Sequence, residues 1–388
     1  MTEPGKPKRK IFLIATEASG DNLGGPLIRE LRARLGEGVT FEGIGGPRME
    51  AAGLASLFPI GELAIVGLVG VARQLPMLLG RIRQATDAVL RANPDVLIII
   101  DSPDFTHRVA RRVRKRNPAI PIVDYVSPTV WAWRPGRAQA MTKYIDHVLA
   151  LLPFEPDAHR ELGGPPCTYV GHPLIEQLDT LRPNDDERRR REAKPPVLLL
   201  LPGSRRGEIR NHMQVFGETL AALEAKGIEV EAVLPTTPHL LPQVEAAMQD
   251  WKLRPRIVTG EADKRAAFRI AHAALAKSGT VTLELALAGV PMVTLYRGTQ
   301  FEAFVARRVV RVPSVILANL VLGENAVPEY LQDDCRVEKL LPALQDILAD
   351  TPVRRRQIEA FGKLDRIMGV GAQSPSQRAA DIVIAAMK

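Results

Sequence analysis

The stretch Pro196 to Arg210, P-V-L-L-L-L-P-G-S-R-R-G-E-I-R, shows most directly how this chain folds. Its apolar run, Val197 to Leu201, is typical of a strand that is buried on both faces of a sheet. The turn Pro202 to Ser204 ends that strand, and Arg205 and Arg206 lead into a helical pattern. The stretch therefore predicts a strand, a tight turn and a helix in direct succession.

This succession is typical of an anion-binding site. Backbone N–H groups and the positive end of the helix dipole converge on the turn. Two neighbouring arginines suit a pyrophosphate group. A pair of solvated arginines on a surface loop explains the same residues without a ligand, because many βα turns share part of this pattern.

The composition indicates a globular chain of two domains. The 388 residues are enough for two full cores, and contents of 46% hydrophobic and 25% charged residues are ordinary. The net charge of +8 favours an anionic partner, which could be a nucleic acid, a nucleotide sugar or an acidic membrane surface. Cys167 and Cys335 are far apart, which suggests a reducing compartment rather than a disulfide framework or a zinc site. No apolar run is long enough for a signal peptide or a transmembrane helix.

Strands and helices alternate through both halves of the chain. This rhythm predicts an α/β fold with two doubly wound, Rossmann-like domains, each with a parallel sheet covered on both faces. The strands predicted in the first half are Ile11–Ala15, Val39–Ile44, Val96–Ile100, Ile120–Val126 and His147–Leu152. Those predicted in the second half are Val197–Leu201, Val230–Leu234, Arg256–Val258, Ala273–Ala276 and Met292–Leu295.

A break in composition separates the two halves. Leu181 to Pro196 is charged, rich in arginine and ends in two prolines, which is typical of a linker with a solvated helix. We predict an N-terminal domain of residues 1–175, a linker of residues 176–195 and a C-terminal domain of residues 196–375. The last helix, residues 376–388, is a candidate to pack back on the N-terminal domain.

Doubly wound sheets bind ligands beyond the carboxyl ends of their strands, and we expect the two halves to face each other across one cleft. The second half offers K-S-G-T-V-T-L-E, in which Ser278 and Gly279 turn out of a strand and a helix starts at Thr280. Glu284, near the end of the first helical turn, could accept both ribose hydroxyls of a nucleotide while the backbone approaches a phosphate. A helix start that is stabilised without any ligand is the alternative.

The first half places carboxylates at strand ends, where they are candidates for a general base. Asp101 and Asp104 follow one predicted strand, and Glu17 follows the first. Asp104 also suits the N-cap of the next helix, and Ser19 or Asp21 suits that of the first helix.

Three further side chains are candidates for ligand contact. His172 follows a strand, although a lone histidine is commonly structural, and Trp131 and Trp133 could instead pack in the core on one face of an extended segment. No cluster of His, Cys and carboxylate has metal-ligand spacing, and no lysine-bearing phosphate loop is present.

Taken together, the motifs resemble one family, lipid A disaccharide synthase, from about Ile11 to the C-terminus. The order of the motifs carries the resemblance, and S-P-T-V-W-A-W-R is its most specific piece. The motifs are E-A-S-G-D at Glu17–Asp21, D-S-P-D-F at Asp101–Phe105, Y-V-S-P-T-V-W-A-W-R at Tyr125–Arg134, V-G-H-P-L at Val170–Leu174, L-L-P-G-S-R at Leu200–Arg205, S-G-T-x-x-L-E at Ser278–Glu284 and A-N-L at Ala318–Leu320.

The resemblance implies a GT-B fold, with the acceptor on the N-terminal domain and the UDP-sugar on the C-terminal domain. It implies an inverting hexosyltransferase that joins UDP-2,3-diacylglucosamine to 2,3-diacylglucosamine 1-phosphate (lipid X) through a β(1→6) bond. The products would be lipid A disaccharide 1-phosphate, for lipopolysaccharide, and UDP. No metal, no cofactor and no nucleic acid is expected. The protein would be cytoplasmic and peripheral on the anionic inner membrane of a Gram-negative bacterium, and it could be a homodimer.

The resemblance and the residue chemistry together assign roles. Asp101 is the first choice for the base that takes the proton of the acceptor 6-hydroxyl, with Glu17 and Asp104 next, and Arg205 neutralises the departing UDP. The residues expected to bind the UDP-sugar are Gly203, Ser204, Arg205, Ser278, Gly279, Thr280, Glu284 and Asn319. Those expected on the acceptor and lipid side are Ser19, Asp21, Asp104, Trp131, Trp133, Arg134, His172, Val66, Leu68 and Val69.

The apolar run Leu63 to Leu79 is the candidate for lipid contact. Its first part, Leu63 to Ala72, has no charged or polar side chain but is too short to span a bilayer. Gly67 and Gly70 weaken a core helix, and Pro76 limits helical continuation. We therefore expect a surface that takes acyl chains and rests on the membrane, whereas a buried core helix is the ordinary explanation.

Two other classes of protein stay open. A UDP-sugar epimerase has the same fold and also uses S-G near a glutamate, but it needs no lipid acceptor. A nucleic-acid-binding protein would use the positive charge, but here that charge is scattered and few aromatic residues lie among it. UDP should stabilise either UDP-sugar enzyme against heat, and UDP release that depends on a lipid acceptor separates transferase from epimerase.

Overall fold

The computed structural model describes residues 9–63, 68–299, 303, 308 and 312–387, and of residues 62, 63 and 68–75 it describes the backbone alone. The chain divides into two compact units. Unit 1 is Met1–Pro173 with Gly371–Lys388, and unit 2 is Leu174–Val370. Each unit is built on one parallel sheet with helices between its strands, so the predicted α/β class is confirmed.

The sheet of unit 1 has seven strands in the order β3-β2-β1-β4-β5-β6-β7. The chain moves outward from β1 in one direction and returns to β4 to continue in the other, so the strand order reverses between β1 and β4. The strands are β1 (Arg9–Ala15), β2 (Val39–Ile44), β3 (Leu54–Ser56), β4 (Val96–Ile100), β5 (Ile122–Tyr125), β6 (His147–Ala150) and β7 (Cys167–Tyr169). The helices of this unit are α1 (Ala18–Leu35), α2 (Pro47–Ala51), α3 (Leu68–Ala92), α4 (Pro103–Arg116), α5 (Gly136–Met141), α6 (Glu155–Glu161) and the last helix, Pro375–Ala386.

Both faces of this sheet are buried, as its apolar strands predict. Phe12 and Ile99 belong to a core that α3 and α4 complete on one face. Ile11 and Ile98 belong to a second core, which α1 and the last helix complete on the other. Because successive side chains of a strand point to opposite faces, a strand that is apolar at every position needs cover on both.

Unit 2 repeats this plan with six strands in the order β10-β9-β8-β11-β12-β13. Its strand order reverses between β8 and β11, and its strands are β8 (Val197–Leu201), β9 (Glu231–Thr236), β10 (Arg256–Thr259), β11 (Ala273–Lys277), β12 (Met292–Tyr296) and β13 (Glu329–Leu331). Its helices are α7 (Leu178–Leu181), α8 (Asp185–Glu192), α9 (Arg206–Ala225), α10 (Leu241–Ala247), α11 (Glu261–Ile270), α12 (Val281–Leu287), α13 (Leu317–Leu322), α14 (Val337–Leu348), α15 (Pro352–Gly362) and α16 (Leu364–Met368).

Three short strands have bounds that the sequence did not predict. They are β3, β7 and β13, which lie at sheet edges and have three residues each. A strand of this length has no periodicity that distinguishes it from a loop. Its pairing depends on the neighbouring strand, which the local sequence does not reveal.

Residues 176–195, predicted to be a solvated linker, belong to unit 2. Arg191, at the end of α8, is partly buried, and its guanidinium donates to the carbonyl oxygens of Phe268 and Ala288, both at 3.0 Å. Burial lowers the pKa of Arg191 to about 10. Arg188 is exposed, as the charge pattern predicts. A run of four arginines does not show from the sequence which of them is buried.

The last helix packs on α1 in unit 1. Its buried side chains Ala380 and Val383 share a core with Leu27 and Leu31 of α1. Outside this core, Arg34 Nε donates to Asp381 Oδ1 at 2.8 Å. The assignment of acceptor and UDP-sugar roles to the two domains, and the cleft between them, stay predictions.

The apolar run Leu63–Leu79 lies partly outside the described residues, including Val66 and the side chains of Leu68 and Val69. The helix α3 begins at Leu68 and continues through Pro76. The expected limit at that proline is therefore wrong, since the neighbouring turns supply the remaining hydrogen bonds of the helix. Within the described residues, no helix is both long and apolar enough to cross a membrane.

Candidate functional site

Unit 1 carries strained backbone at the carboxyl edge of its sheet. Asp101 and Ser102, which follow β4, both have left-handed backbone, with φ of 55° and 47°. Val126, after β5, has φ of 91°, and Arg134, in the next loop, has φ of 53°. Residues other than glycine rarely adopt this region, and such strain is common at functional sites. These four residues with positive φ lie in the loops that carry the predicted acceptor residues.

Two carboxylates and two serine hydroxyls meet at this edge. Ser19 Oγ donates to Asp101 Oδ2 at 3.1 Å, and Ser102 Oγ donates to Glu17 Oε1 at 3.0 Å. The backbone N–H of Ser102 also donates to Asp101 Oδ1 at 2.7 Å. These contacts form because β1 and β4 are neighbours, so that their following loops meet. Glu17 and Ser19 are exposed and Asp101 is half-buried, so a substrate hydroxyl can approach the carboxylates from solvent.

Asp104 lies apart from this cluster. Its side chain is 91% exposed, and Nη2 of Arg137 is 4.0 Å away from its Oδ1. The helix α4 begins at Pro103 with Ser102 at its N-cap, so the predicted N-cap role of Asp104 is wrong. Asp104 lies in the first helical turn instead, where a negative charge favours the helix dipole.

Asp21 is a buried acceptor that joins two helices. It was predicted, with Ser19, as a cap of the first helix, but α1 begins at Ala18 and both residues lie inside its first turn. The cap prediction is wrong because the carboxylate has a distant partner, the start of α2. It accepts backbone N–H groups at 2.9 to 3.0 Å from Gly46, Arg48 and Met49.

The two tryptophans of the S-P-T-V-W-A-W-R motif have different surroundings. Trp131 is partly buried, packs edge-on against Phe154, and its Nε1 donates to Glu155 Oε1 at 3.1 Å. Trp133 is exposed, and the guanidinium of Arg134 lies 4.3 Å from the centre of its ring. Trp133 and Arg134 therefore present an aromatic and cationic surface at the predicted acceptor side.

Two titratable groups near this edge have shifted pKa values. Burial lowers the pKa of His172 to about 4, so this histidine is neutral near pH 7 and cannot attract a phosphate as a cation. Burial raises the pKa of Glu155 to about 7. Glu155 also accepts the backbone N–H of Leu152 at 2.9 Å, and sequence reasoning missed it because no local pattern marks its partners.

Unit 2 has a pocket of 420 Å³ where its strand order reverses. The pocket lies at the ends of β8, β9 and β11 and at the starts of α9, α11 and α12. This is the edge at which doubly wound sheets bind ligands. The predicted donor residues that line it are Gly203, Ser204, Gly279, Thr280 and Glu284.

Glu208 fills the turn after β8 with a carboxylate. Its Oε2 accepts the backbone N–H groups of Ser204 and Arg205 at 2.9 and 3.3 Å. Gly203 has φ of 132°, and a Cβ there would lie 2.5 Å from the Glu208 side chain. Only glycine therefore permits this turn and this close approach.

Lys277, the last residue of β11, pairs with that carboxylate. Its Nζ lies 3.0 Å from Glu208 Oε1, and the two side chains are 17% and 13% exposed. Burial alone would raise the pKa of Glu208, but its hydrogen bonds with Lys277 and the Ser204 N–H lower it. Both residues line the pocket, and neither was singled out for a role from the sequence.

Glu284 also has a lysine partner inside the pocket. Nζ of Lys264, from α11, donates to Glu284 Oε2 at 2.6 Å and lies 3.6 Å from Glu261. Thr280 is the N-cap of α12, and Glu284 lies in the first turn, as the sequence predicted. The carboxylate is thus held in place while its other oxygen can accept further hydrogen bonds.

Three predicted donor residues are not among those that line the described pocket. The side chain of Arg205 is 83% exposed, and the hydroxyl of Ser278 donates to the carbonyl oxygen of Val315 at 3.2 Å. Asn319 is buried and exchanges two hydrogen bonds with the backbone of Val327, both at 2.9 Å. Ser278 and Asn319 therefore fix the loops on one side of α12. Within the described residues, no group of three or more His, Cys, Asp or Glu side chains is placed to hold a metal ion.

The sequence matches a known family over nearly its whole length. A family model described as lipid-A-disaccharide synthetase matches residues 11–382. A lipid-A-disaccharide synthase of Bradyrhizobium diazoefficiens is 64% identical over 388 residues, which is 100% of this chain and 99% of that protein. One of Rhodopseudomonas palustris is 66% identical over 376 residues, which is 97% of this chain and 95% of that protein.

Solved structures share the fold at low sequence identity. The Staphylococcus aureus MnaA structure with UDP has a TM-score of 0.61 and 12% identity, and covers 97% of this chain and 95% of its own. MurG of Acinetobacter baumannii has a TM-score of 0.57 and 15% identity, and the match covers 97% of this chain and 99% of the MurG chain. These matches support the predicted GT-B type of the α/β fold, and the family match over residues 11–382 confirms the resemblance seen in the motifs. The chain belongs to the lipid-A-disaccharide synthetase family.

Proposed function

We propose that this protein transfers the sugar of UDP-2,3-diacylglucosamine to the 6-hydroxyl of 2,3-diacylglucosamine 1-phosphate, forming a β(1→6) bond. The observation that carries the proposal is the full-length similarity to lipid-A-disaccharide synthases at 64% and 66% identity. The chemistry of the two strand-order reversals supports it. One carries a carboxylate cluster that suits a hydroxyl acceptor, and the other carries a pocket with two tight turns, two lysines and Glu284, which suits a nucleotide.

The donor binds in the pocket of unit 2. Its diphosphate lies against the turns at Gly203 and Gly279, where backbone N–H groups and helix N-termini favour negative charge. Glu284 accepts the ribose hydroxyls. Arg205, which follows the first turn, reaches the diphosphate from the solvent side with a planar fork of donors.

The acceptor binds at the carboxylate cluster of unit 1. Asp101 accepts the proton of the 6-hydroxyl while the oxygen attacks C1 of the donor sugar. Ser19 and the Ser102 N–H hold the two oxygens of Asp101 at 3.1 and 2.7 Å, which fixes the direction of its lone pairs. Glu17, whose Oε1 accepts the hydroxyl of Ser102 at 3.0 Å, is the next candidate for the base in this cluster.

The reaction is a single displacement with inversion. The bond from O6 to C1 forms as the bond from C1 to the β-phosphate oxygen breaks, and UDP leaves with the electron pair. Positive groups that are fixed in place before the reaction stabilise this developing charge. The proton of the 6-hydroxyl ends on Asp101 and passes to solvent afterwards.

The protein works at the cytoplasmic face of the inner membrane, as a peripheral protein. Both substrates carry acyl chains, so the apolar run Leu63–Leu79 has a use at the lipid surface. Trp133 and Arg134 suit the interface, because an aromatic ring and a guanidinium side by side match the headgroup region. A homodimer is a separate expectation, which the molar mass from light scattering tests.

The decisive experiment measures UDP release with the two diacylated sugars, each alone and then together. We expect release only when donor and acceptor are both present. Release of UDP from the donor alone would favour a hydrolase. Formation of an epimeric sugar without an acceptor would favour the epimerase alternative and would contradict the proposal.

A further inference from the structure

Within the described residues, the cations that line the donor pocket are Lys277 and Lys264, and Arg205 is not among them. The Lys277 side chain is 17% exposed and lines the pocket, whereas that of Arg205 is 83% exposed and does not. A charge in a less solvated place interacts more strongly with a ligand, because less water screens it. Lys277 is therefore better placed than Arg205 to act on an anion within the pocket.

Lys277 lies between the two turns that form the phosphate end of the pocket. It ends β11, directly before the turn at Ser278 and Gly279, and β11 pairs with β8, which leads into the other turn. Its Nζ is 3.3 Å from the position that a Cβ on Gly279 would take. It also lies 5.3 Å from the centre of the Tyr296 ring, which holds the ammonium group by a cation–π contact.

The carboxylate of Glu208 uses the same donors that a phosphate would use. Its two oxygens accept from the Lys277 ammonium at 3.0 Å and from the backbone N–H groups of Ser204 and Arg205. A carboxylate and a phosphate group both bind as anions with several acceptor oxygens. The Glu208 carboxylate and a phosphate group therefore cannot both form these hydrogen bonds with the Lys277 ammonium and the Ser204 N–H at the same time.

We propose that Lys277 binds the diphosphate of the donor, and that Glu208 competes with the diphosphate for Lys277 and for the Ser204 N–H. This proposal rests on the proposed function, in which unit 2 binds a nucleoside diphosphate sugar. When the diphosphate arrives, the Glu208 carboxylate releases Lys277 to the phosphate oxygens. When UDP has formed, the same carboxylate returns and weakens the hold on the product.

The proposed competition predicts opposite changes in UDP affinity for substitutions of Lys277 and of Glu208. Lys277→Met removes a charged donor, so we expect UDP affinity to fall about 10- to 100-fold. Glu208→Gln keeps an acceptor oxygen for the Ser204 N–H but removes the charge, so we expect UDP affinity to rise by about three- to tenfold. A merely structural carboxylate would give no rise. Lys277→Arg should retain most of the affinity.

Isothermal titration calorimetry with UDP and with uridine tests this. Uridine has no phosphate, so its affinity should be unchanged in Lys277→Met and Glu208→Gln. Lys339→Met, which removes a lysine paired with Asp334 outside the pocket, is the matched control and should bind UDP normally. Circular dichroism establishes that each variant is folded, and the Glu208→Gln measurement stands by itself if Lys277→Met does not fold.

Three results would overturn the inference. Normal UDP affinity in Lys277→Met, or an equal loss of UDP and uridine affinity, would show that Lys277 does not bind the diphosphate. A fall in UDP affinity in Glu208→Gln would show that Glu208 supports the turn and does not compete. If the unaltered protein binds neither UDP nor uridine, the proposed function itself fails, which is a different outcome from either of these.

Discussion

Nη2 of Arg191 donates a hydrogen bond to the carbonyl oxygen of Phe268 at 3.0 Å. Its Nη1 donates to Ala288, also at 3.0 Å. The first carbonyl lies near the C-terminal end of α11 and the second directly after α12, and both helices have their N-termini at the donor pocket. One guanidinium thus holds the two helices at the ends remote from the pocket, where a positive charge also complements their dipoles.

Arg191→Met should destabilise unit 2. The carbonyl oxygens would lose a charged donor in a partly buried place, which costs about 2–4 kcal/mol of unfolding free energy. Urea unfolding measures the loss of unfolding free energy, and Arg188→Met in the same helix is the control. Arg188 is 58% exposed and pairs with Asp185, so its loss should cost less than about 0.5 kcal/mol. Equal unfolding midpoints for the two variants would contradict the role of Arg191.

Asp101→Asn should abolish transfer while UDP still binds. An amide cannot take up the proton of the acceptor hydroxyl, and loss of a general base lowers turnover by about 10² to 10⁴. Turnover and UDP affinity are measured on the same preparation. Asp87→Asn, on α3, removes a surface partner of Arg116 and should leave turnover unchanged. Full activity in Asp101→Asn would move the base to Glu17 or Asp104, and lost UDP binding would count against an acceptor-side role.

Glu155 should make the protein less stable as pH rises from about 4.5 to about 7. Burial raises the pKa of Glu155 from 4.5 to about 7 in the folded protein. In this range the unfolded chain has lost the proton and the folded one has kept it, so folding is favoured at the acid end. The effect is at most about 3 kcal/mol, and stability from this group is lost as pH passes through 7.

The measurement compares urea midpoints at pH 5 and pH 8 with those of Glu155→Gln. The variant has no carboxyl group there, so the difference between the two proteins should grow with pH. The comparison also removes the contribution of His172, whose lowered pKa acts in the opposite direction. Glu161→Gln, on the exposed face of α6, is the control. Parallel pH profiles for the unaltered protein and Glu155→Gln would refute the prediction.

The membrane hypothesis predicts a separation between stability and binding. A triple variant, Val66→Ser with Leu68→Ser and Val69→Ser, should hardly change the melting temperature but should weaken association with anionic liposomes. If the three side chains are core, the loss should be several kcal/mol, as for the reference variant Leu27→Ser in a buried helix face. A large fall in melting temperature with unchanged liposome binding would leave the core explanation standing.

Local patterns predicted the parts of the fold that depend on short stretches of chain. The predicted bounds of the strands Val96–Ile100 and Val197–Leu201 agree with the structure at both ends. They could be predicted because a strand that is buried on both faces must be apolar throughout. The turn at Ser278 and the place of Glu284 follow from the order of residue types around a helix start. These features are set by neighbours within a few positions.

Contacts between distant residues could not be predicted in this way. Asp21 accepts hydrogen bonds from residues up to 28 positions away. The local sequence does not show these donors, and for this reason it predicted that Asp21 caps its own helix. Lys277 meets Glu208 only because β11 pairs with β8. A single sequence shows that such residues are charged, but the sheet order decides which charges meet.

Unit 1 is assembled from two stretches of chain that are separated by Leu174–Val370. A ribosome that adds about 5–20 residues per second needs roughly 10–40 s for these about 200 residues. Throughout that interval Leu27 and Leu31 of α1 lack the cover of Pro375–Ala386, whereas unit 2 emerges as one continuous stretch. We therefore expect the second half of the polypeptide to mature first during synthesis, with the first half depending on chaperones until its final helix arrives.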